Sequence, residues 1–585
     1  MRLSGRPVNQ NPTLLIMKIK PKVFFLFLCI LLVGGTGTVS LAQTTSKAQK
    51  TDALLKYQDE VTVSFLRNHL SILADDSMRG RETAMPGQKK AARYLASQYR
   101  QLGLKPIGDN GSYFQHFDVN ATKTDSVVFT TYKIPNGQKM PFDHSVASEH
   151  SSGDFIRAFG GTDTLRGKIV FAGFGVDDST HNVNHLNGTD LKGKWVMVFQ
   201  EIPHVVNGDT LIAPSVNARS RFRTIFGQGA AGILAIPVMS DEDFSKSAKQ
   251  AQFGFTKPGN MRLAYRDKGD GSSRGFSRGY DLISPKMAAR LLNLDSSGAL
   301  ENYRKELVAH ISDFQAKELD YSLSQIPYSK KVTLDTENVL AFLEGADPKL
   351  KDQVVVMSAH YDHLGVGQPD STGDRIYNGA DDDGSGTIGV LNVAKAFVDA
   401  AKQGIRPKRS ILFLHVTGEE KGLLGSRYYS DHPVFPVEQT VADLNTDMIG
   451  RIDPRHEKEG VENYVYLIGA NLISSQLDSL IRVANNQAGQ VTLNQRYNDL
   501  NDPNQFYRRS DHWNFGRLGI PFVFFFTGVH KDYHRPSDEI DKIRFEKMSR
   551  IVRTMYATAV LVANTDTRPT VDNQAFINAT KVGGN

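Results

Sequence analysis

The sequence predicts an α/β protein with a mixed, mostly parallel sheet that is flanked by helices. Apolar runs at 354–357 and 410–416 enclose a helix-like segment over 385–402, whose apolar residues recur at three- and four-residue spacing. Strands that are apolar throughout are typical of sheets covered on both faces. Polar and acidic residues follow these runs directly, at the end of the strand where open α/β sheets bind ligands.

Length and charge limit the possible functions. A chain of 585 residues exceeds what one hydrophobic core fills, so two or three domains are expected. The net charge is +6, but residues 1–42 hold five basic residues and no acidic one, and the rest is nearly neutral. This distribution argues against a nucleic-acid partner.

The first 42 residues are predicted to be a secretory signal peptide. Three lysines at 18, 20 and 22 precede an apolar core over 23–33, and small residues follow at 40–42. The core is too short to span a membrane, so we expect no stable membrane anchor and a secreted or periplasmic location. Translation from Met1 or from Met17 is compatible with this pattern, and a start at Met17 gives the more compact signal.

The only cysteine, Cys29, lies in the predicted signal peptide. The mature chain would then have no disulfide, no thiolate nucleophile and no cysteine ligand for a metal. Any metal site must therefore use histidine and carboxylate side chains.

Changes in sequence texture predict the domain limits. Residues 43–124 are rich in helical patterns, at 66–73 and at 91–102, where Gly103 ends the helix. From 125 to 318 the chain shows short β-rich runs without a catalytic cluster, which indicates an inserted domain. Residues 319–565 carry the α/β pattern, and 566–585 are predicted to be a flexible tail.

One stretch organises the candidate site. The strand over 353–358 leads into His360 and Asp362, which an extended backbone projects from the same face. A carboxylate in that position can hold a metal-ligating imidazole. After a polar loop, three aspartates at 381–383 precede Gly-Ser-Gly, a pattern that suits either a cation or a solvated acidic turn.

Further polar residues follow other apolar runs. These are Glu419-Glu420, Asp447 and His534. Singly, each has an ordinary interpretation as a surface pair or a loop residue. Together they are expected on one rim of the sheet, and two histidines with several carboxylates suit a two-zinc site.

The ordered set of these motifs resembles the co-catalytic di-zinc aminopeptidases of the leucyl aminopeptidase and glutamate carboxypeptidase family. The resemblance covers 319–565 and extends into 43–124 through Met78-Arg-Gly-Arg-Glu82 and Pro86-Gly87. The region 125–318 resembles the β-rich protease-associated domain that many members carry. The resemblance implies a zinc exopeptidase-like fold and a metallopeptidase that removes N-terminal residues from peptide substrates.

The family pattern also assigns two zinc ions per chain. It implies that His360 and Asp447 hold one ion, that Glu420 and His534 hold the other, and that Asp382 bridges them.

The same pattern implies three catalytic roles. Asp362 orients His360, and Glu419 is the general base that moves a proton from water to the leaving amine. Tyr533, beside a ligand, matches a tyrosine that donates to the oxyanion in some members.

Other polar residues receive ordinary interpretations. His415 lies in an apolar strand and reads as a core histidine, and His363 is expected only to line the cleft. Ser510-Asp-His512 cannot form a serine-hydrolase triad, because adjacent residues do not supply the required geometry. Arg508 and Arg509 are expected to be a solvated basic pair, although they could receive a substrate carboxylate.

Three functions stay open beside the aminopeptidase. They are a zinc carboxypeptidase, a glutaminyl cyclase of the same fold, and an inactive receptor-like binding module. The intact ligand set favours a peptidase. We expect Glu419 and one or both of Asp381 and Asp383 to supply spare negative charge that holds a substrate ammonium group.

Overall fold

Two amphipathic helices follow the predicted signal segment. In the computed structural model, which describes residues 50–134, 140–147, 152–254, 259–267, 278–367 and 369–581, they are α1 (Val63–Leu73) and α2 (Pro86–Leu102). The Thr62 hydroxyl caps α1 by accepting from the Phe65 amide, and Gly103, at φ 77°, ends α2. Residues 1–42, predicted to be a signal peptide, lie outside the described residues.

The middle of the chain alternates strands and helices. Its strands are β1 (Lys105–Pro106), β2 (Phe114–Lys133), β3 (Met140–Ala147), β4 (Phe155–Phe159), β5 (Leu165–Phe171), β6 (Asp177–Asp178), β7 (Val183–Asn184), β8 (Trp195–Phe199), β9 (Val205–Val206), β10 (Asp209–Thr210), β11 (Gly232–Ile236), β12 (Met261–Leu263) and β13 (Gly279–Ile283). Its helices are α3 (Ala218–Gly227), α4 (Asp241–Gly254), α5 (Pro285–Leu291) and α6 (Ser297–Ala309). The expected β-rich insert thus contains helices as well.

The remainder has the predicted α/β alternation. Its strands are β14 (Lys317–Leu343), β15 (Val354–His360), β16 (Gly365–Val366), β17 (Ile376–Tyr377), β18 (Ser410–Val416), β19 (Thr440–Thr446), β20 (Tyr464–Gly469), β21 (Thr492–Asn494) and β22 (Phe522–Phe526). Its helices are α7 (Gly386–Lys402), α8 (Leu424–Asp431), α9 (Pro454–Glu459), α10 (Ser475–Gln487), α11 (His512–Gly516), α12 (Phe545–Asn564) and α13 (Gln574–Thr580).

The central strands of this last region are parallel and buried on both faces. The order β22-β19-β15-β18 is parallel, and β14 and β20 join its two sides in the antiparallel direction. Along β15, Val355 and Met357 enter a core covered by α1, α2, α7 and α12, whereas Val354 and Val356 face α8 and α11. The predicted sheet with helices on both faces is confirmed.

The long strand β14 connects this region to a second core. Its C-terminal end pairs with β18, and its N-terminal end pairs with β5, the first strand of the parallel set β5-β8-β11-β13. Strand β2 runs antiparallel along most of β14. The expected limits at 125 and 318 fall within this continuous ribbon, so the assignment of a separate protease-associated domain stays a prediction.

The C-terminal tail differs from the expected flexible segment. Helix α13 follows Asn573, whose side chain caps it, and Phe576 is fully buried against an aromatic cluster that includes Tyr507. A single large apolar side chain is enough to dock a short helix, but it leaves no periodic pattern in the sequence. Among the described residues, no helix combines the length and apolar character that a membrane crossing requires.

Candidate metal centre

The candidate ligands meet at a reversal of strand order. The chain passes from β15 to β18 on one side and then to β19 on the other side of β15. Such a topological switch point leaves a crevice beyond the carboxyl ends of the strands. His360 is the last residue of β15, while Glu420 and Asp447 follow β18 and β19 closely.

A tight loop brings the acidic triplet into this crevice. In the loop that precedes α7, Gly379 adopts φ 54°, and a Cβ there would lie 2.2 Å from the Asp382 carbonyl oxygen. Only glycine fits such a close approach. The loop places the Asp382 carboxylate between two histidines.

The two carboxylate oxygens of Asp382 face different partners. Oδ1 lies 3.4 Å from His360 Nε2, which is also 3.5 Å from Asp447 Oδ1. Oδ2 lies 3.2 Å from His534 Nε2, which is also 3.2 Å from Glu420 Oε2. The structure therefore brings all five predicted ligands together, in two groups that share Asp382.

Several polar atoms of the candidate ligands and of the neighbouring His363 are buried and make no hydrogen bond to any residue that the structure describes. They are His360 Nε2, His363 Nδ1, Asp382 Oδ2, Glu420 Oε1 and Asp447 Oδ1. Leaving a buried polar atom unpaired costs about 1–3 kcal/mol, so a cluster of them needs a compensating ligand. A cation at their centre would satisfy them together.

The separations also suit zinc. Nitrogen and oxygen atoms about 2.0–2.2 Å from a tetrahedral zinc ion lie about 3.3–3.5 Å from each other. The four contacts that Asp382, Asp447 and Glu420 make with the two histidines span 3.2 to 3.5 Å. The residues present therefore fit zinc, in two groups that share Asp382.

The pKa shifts of His534 and Glu420 also favour a bound cation. Burial alone would lower the pKa of His534, but the adjacent carboxylates of Asp382 and Glu420 raise it to about 10. Burial opposes the charged form of Glu420, yet the neighbouring histidines lower its pKa to about 2. The crevice therefore stabilises positive charge.

The outer aspartates of the triplet have structural partners. Asp381 Oδ1 accepts from the Gly450 amide (2.6 Å) and the Ser385 hydroxyl (2.9 Å). Asp383 Oδ1 accepts from the Gly386 amide (2.8 Å) and the Met448 amide (3.1 Å). Both side chains are fully buried. Our expectation that one or both of them supply spare charge to the substrate is wrong, because both side chains are buried and hydrogen-bonded to the surrounding loops.

Asp538 stabilises the loop that carries Asp382. Its Oδ2 accepts from the backbone amides of Asp381 (3.0 Å) and Asp382 (3.1 Å). Arg451 lies 3.7 Å from its other oxygen, and His530 lies 3.3 Å from Asp381 Oδ2. No sequence pattern singles out Asp538, although it follows His534 by only four residues.

Asp362 links the N-terminal region to the candidate base. Its carboxylate accepts from the Thr83 hydroxyl (2.7 Å) and from the Glu419 amide (3.2 Å). The Nδ1 of His360 lies 3.1 Å from the backbone carbonyl of Asp362 and 3.8 Å from its carboxylate. The carbonyl is thus the nearer partner, and orientation by the carboxylate stays a prediction.

Glu419 and Tyr533 both border the ligands. Burial raises the pKa of the Glu419 carboxyl well above its usual value, against the opposite effect of His360. Burial likewise raises the pKa of Tyr533, and the charges of Asp382 and Glu420 add to this. The Tyr533 ring stacks on His534 at 3.8 Å between centroids.

Arg81 explains the Met-Arg-Gly-Arg motif. Its buried guanidinium donates to the carbonyls of Tyr361 (2.8 Å), Leu73 (2.9 Å), Asn378 (2.6 Å) and Gly379 (2.9 Å). A cation shared by four carbonyls fixes the strand end and the loop relative to α1. Sequence reasoning missed this role because the partners are up to 298 positions away.

The remaining candidates act as supports. Ser510 donates to Asp447 Oδ2 (3.0 Å), and His512 is buried with its Nε2 3.2 Å from the Phe506 carbonyl. His415 lies 2.5 Å from the Tyr99 hydroxyl inside the core.

The arginine pair is exposed. Arg508 lies 5.7 Å from the centroid of the Tyr507 ring, and Arg509 lies 4.9 Å from that of Phe506. These contacts suit a solvated basic pair that packs on aromatic rings.

Comparisons with known proteins agree with this geometry. The model of peptidase family M28 matches residues 338–559. The probable leucine aminopeptidase 2 of Aspergillus oryzae is 31% identical over 209 residues, which cover 34% of this chain and 35% of that protein. Aminopeptidase Y of Saccharomyces cerevisiae is 34% identical over 126 residues, which cover 22% of this chain and 19% of that protein. The matched segments thus span about a third and a fifth of these relatives.

The fold is shared over a much longer segment. The structure of an aminopeptidase from Aneurinibacillus sp. strain AM-1 matches with a TM-score of 0.50 at 16% identity. The match covers 88% of this chain and 97% of that protein.

Proposed function

We propose that the chain, whose residues 338–559 match the model of peptidase family M28, is a zinc-dependent exopeptidase that removes residues from free N-termini. The observation that carries this proposal is the group of buried, unbonded ligand atoms at the switch point. Relatives named leucine aminopeptidase and aminopeptidase Y support this choice of reaction.

The ligand geometry favours two zinc ions per chain. His360 and Asp447 would hold one ion, and Glu420 and His534 would hold the other. Asp382 would contribute to both, because its two oxygens face the two groups separately. Bound zinc supplies a Lewis acid that polarises the substrate carbonyl and lowers the pKa of a water molecule to about 7.

Protein side chains complete the reaction. Glu419 is the general base, because it follows β18 at the rim and burial makes its carboxyl more basic. It takes a proton from the attacking water and delivers it to the leaving amine. The Tyr533 hydroxyl, which stays protonated, donates to the oxygen that gains negative charge.

The substrate ammonium group is assigned to Glu419. Asp381 and Asp383 accept from backbone amides, and Asp382, Asp447 and Glu420 face the metal positions. A charge-assisted hydrogen bond is roughly twice as strong as a neutral one and would fix the scissile carbonyl.

The test is to compare one short peptide in three forms, with a free N-terminus, with an acetylated N-terminus and with an amidated C-terminus. We expect acetylation to abolish hydrolysis and amidation to leave it unchanged. The opposite pattern would indicate a carboxypeptidase, and equal cleavage of all three at internal bonds would overturn the exopeptidase. Elemental analysis of the same sample should give two zinc ions.

A glutaminyl cyclase and an inactive binding module would each give a different result. A glutaminyl cyclase would release ammonia from a peptide with N-terminal glutamine and would not shorten the other peptides. An inactive binding module would turn over none of them.

We also propose that residues 1–42 direct the chain out of the cytoplasm and are removed. Sequencing the N-terminus of protein recovered from the extracellular or periplasmic fraction tests this proposal. A start near residue 43 supports it, and an intact N-terminus contradicts it.

A further inference from the structure

His363 is held rigidly at the edge of the metal centre. Its backbone amide donates to the Arg81 carbonyl at 3.2 Å, and its ring packs against Gly379. A Cβ at Gly379 would lie 2.5 Å from His363 Cδ2. The glycine therefore makes room for this imidazole as well as for the turn.

The imidazole has unsatisfied polar atoms. His363 is fully buried, and neither of its ring nitrogens makes a hydrogen bond to any residue that the structure describes. His415 is the useful contrast, since it is equally buried but lies 2.5 Å from the Tyr99 hydroxyl. A side chain that only lined a wet cleft would reach solvent, which His363 does not.

The nitrogen of His363 points to the same centre as other ligands. Its Nδ1 lies 2.8 Å from Glu420 Oε1 and 3.8 Å from Asp382 Oδ2. The shorter contact lacks hydrogen-bond geometry, so the two atoms converge on a common point rather than on each other. One distance is shorter and the other longer than the roughly 3.3 Å between the donors of a tetrahedral zinc site, and the ligand atoms of His363, Asp382 and Glu420 all lie within 4.8 Å of one another.

We propose that His363 is an additional protein ligand of the ion held by Glu420 and His534. This inference rests on the proposed two-zinc function and makes the two ions unequal. One ion then has four protein donors: Asp382, Glu420, His534 and His363. The other has three: His360, Asp382 and Asp447. Four protein donors are typical of closed zinc sites, whereas catalytic sites keep a position open.

The consequence is a difference in how tightly the ions are held. The ion at His363 should leave slowly, and the ion at His360 should exchange faster and keep its open position for water or substrate. Loss of His363, one of the four donors of the closed site, should increase the dissociation constant of the zinc ion bound there by roughly 10- to 100-fold or more.

The experiment follows the release of zinc from the full-length protein into a chromogenic chelator. It compares wild type with His363→Asn and His363→Gln. We expect wild type to lose one ion quickly and one slowly. In both variants the slow phase should accelerate at least tenfold while the fast phase is unchanged. Loading the metal-free proteins with Co²⁺ should alter the visible absorption of one ion only.

Two further variants calibrate the result. His534→Asn removes a ligand of the same ion and should also accelerate the slow phase. His415→Asn removes a buried imidazole remote from the ligand atoms and should leave both phases unchanged.

The outcomes separate the two proposals. If wild type releases only one ion, the two-zinc function itself fails. If wild type releases two ions but either His363 variant keeps both phases, or accelerates both equally, the ligand assignment to His363 fails.

Discussion

The two parallel halves of the sheet use buried histidine in opposite ways. In the first half, β5-β8-β11-β13, His185 is fully buried, with its Nε2 2.9 Å from the Ile311 carbonyl and its Nδ1 accepting from the Phe174 amide at 3.2 Å. In the second half, His360 Nε2 and both nitrogens of His363 are unbonded among the described residues. Both environments are buried, but only one leaves ligand atoms without a hydrogen-bond partner among the described residues.

This difference separates a structural histidine from a ligand. Burial lowers the pKa of His185, which favours the neutral ring that its two hydrogen bonds require. Burial also opposes a charge on His360, but the carboxylates of Asp447, Asp382 and Glu419 together outweigh it and raise the pKa well above normal. Similar sheets therefore carry different chemistry, because function depends on the residues at the strand ends.

Removing the metal should produce the largest difference between the two halves of the sheet. The chain has two tryptophans, and Trp195 is buried in the first half while Trp513 lies in α11 near Ser510. A strong chelator should abolish hydrolysis and change Trp513 emission, measured in Trp195→Phe. It should leave Trp195 emission, measured in Trp513→Phe, and the far-ultraviolet dichroism unchanged. An equal change in both tryptophans would show that the halves are not independent.

Substitutions of the adjacent Glu419 and Glu420 should affect catalysis and metal binding separately. Glu419→Gln should reduce kcat roughly a hundred- to ten-thousandfold and keep the full zinc content, because it removes only the general base. Glu420→Ala should lose zinc at low metal concentration. Kinetics and elemental analysis of the two variants check this. Full zinc in both, with inactivity confined to Glu420→Ala, would show that the two roles are reversed.

The sequence predicted the strands and the rim positions of the candidate ligands for a physical reason. Apolar runs identify buried strands, and residues such as Asp447 lie immediately after them, so local patterns locate the rim. The same patterns could not distinguish Asp381 and Asp383 from Asp382. All three are acidic and adjacent, and only the direction of each side chain decides which one faces the histidines.

The missed residues share a different property. Thr83 and Asp362 are 279 positions apart, and the carbonyl partners of Arg81 are set by the backbone rather than by residue type. Contacts of this kind leave no periodic signal. The sequence predicts only that His363 lines the cleft, because a sequence does not show which ring nitrogens have hydrogen-bond partners.

Thr83 should have an intermediate effect. Thr83→Val removes the hydroxyl that donates to Asp362 Oδ2 at 2.7 Å and keeps the side-chain shape. Partners that orient ligands typically contribute 10- to 100-fold, so we expect kcat/KM or zinc affinity to fall by roughly that factor. Thr83→Ser is the matched control and should restore most of the loss. Wild-type kinetics and zinc affinity in Thr83→Val would show that the hydroxyl is dispensable.

The smallest effect on activity should come from the structural histidine. His185→Ala leaves the Phe174 amide and the Ile311 carbonyl unpaired and should lower the free energy of unfolding by about 1–3 kcal/mol. Zinc content and kcat/KM should be unchanged, because His185 has no donor atom facing the metal centre. Denaturant unfolding followed by Trp195 emission measures the loss, and His310→Ala, at an exposed position, is the control.

This variant also tests the ribbon that joins the halves. Strand β14 pairs with β5 at one end and with β18, which precedes Glu419, at the other. If β14 couples the packing of the first half to the metal centre, His185→Ala will reduce kcat/KM together with stability, whereas His310→Ala will reduce neither. We expect stability alone to fall, because the second half has its own core and its ligands are fixed by Arg81, Thr83 and Asp538.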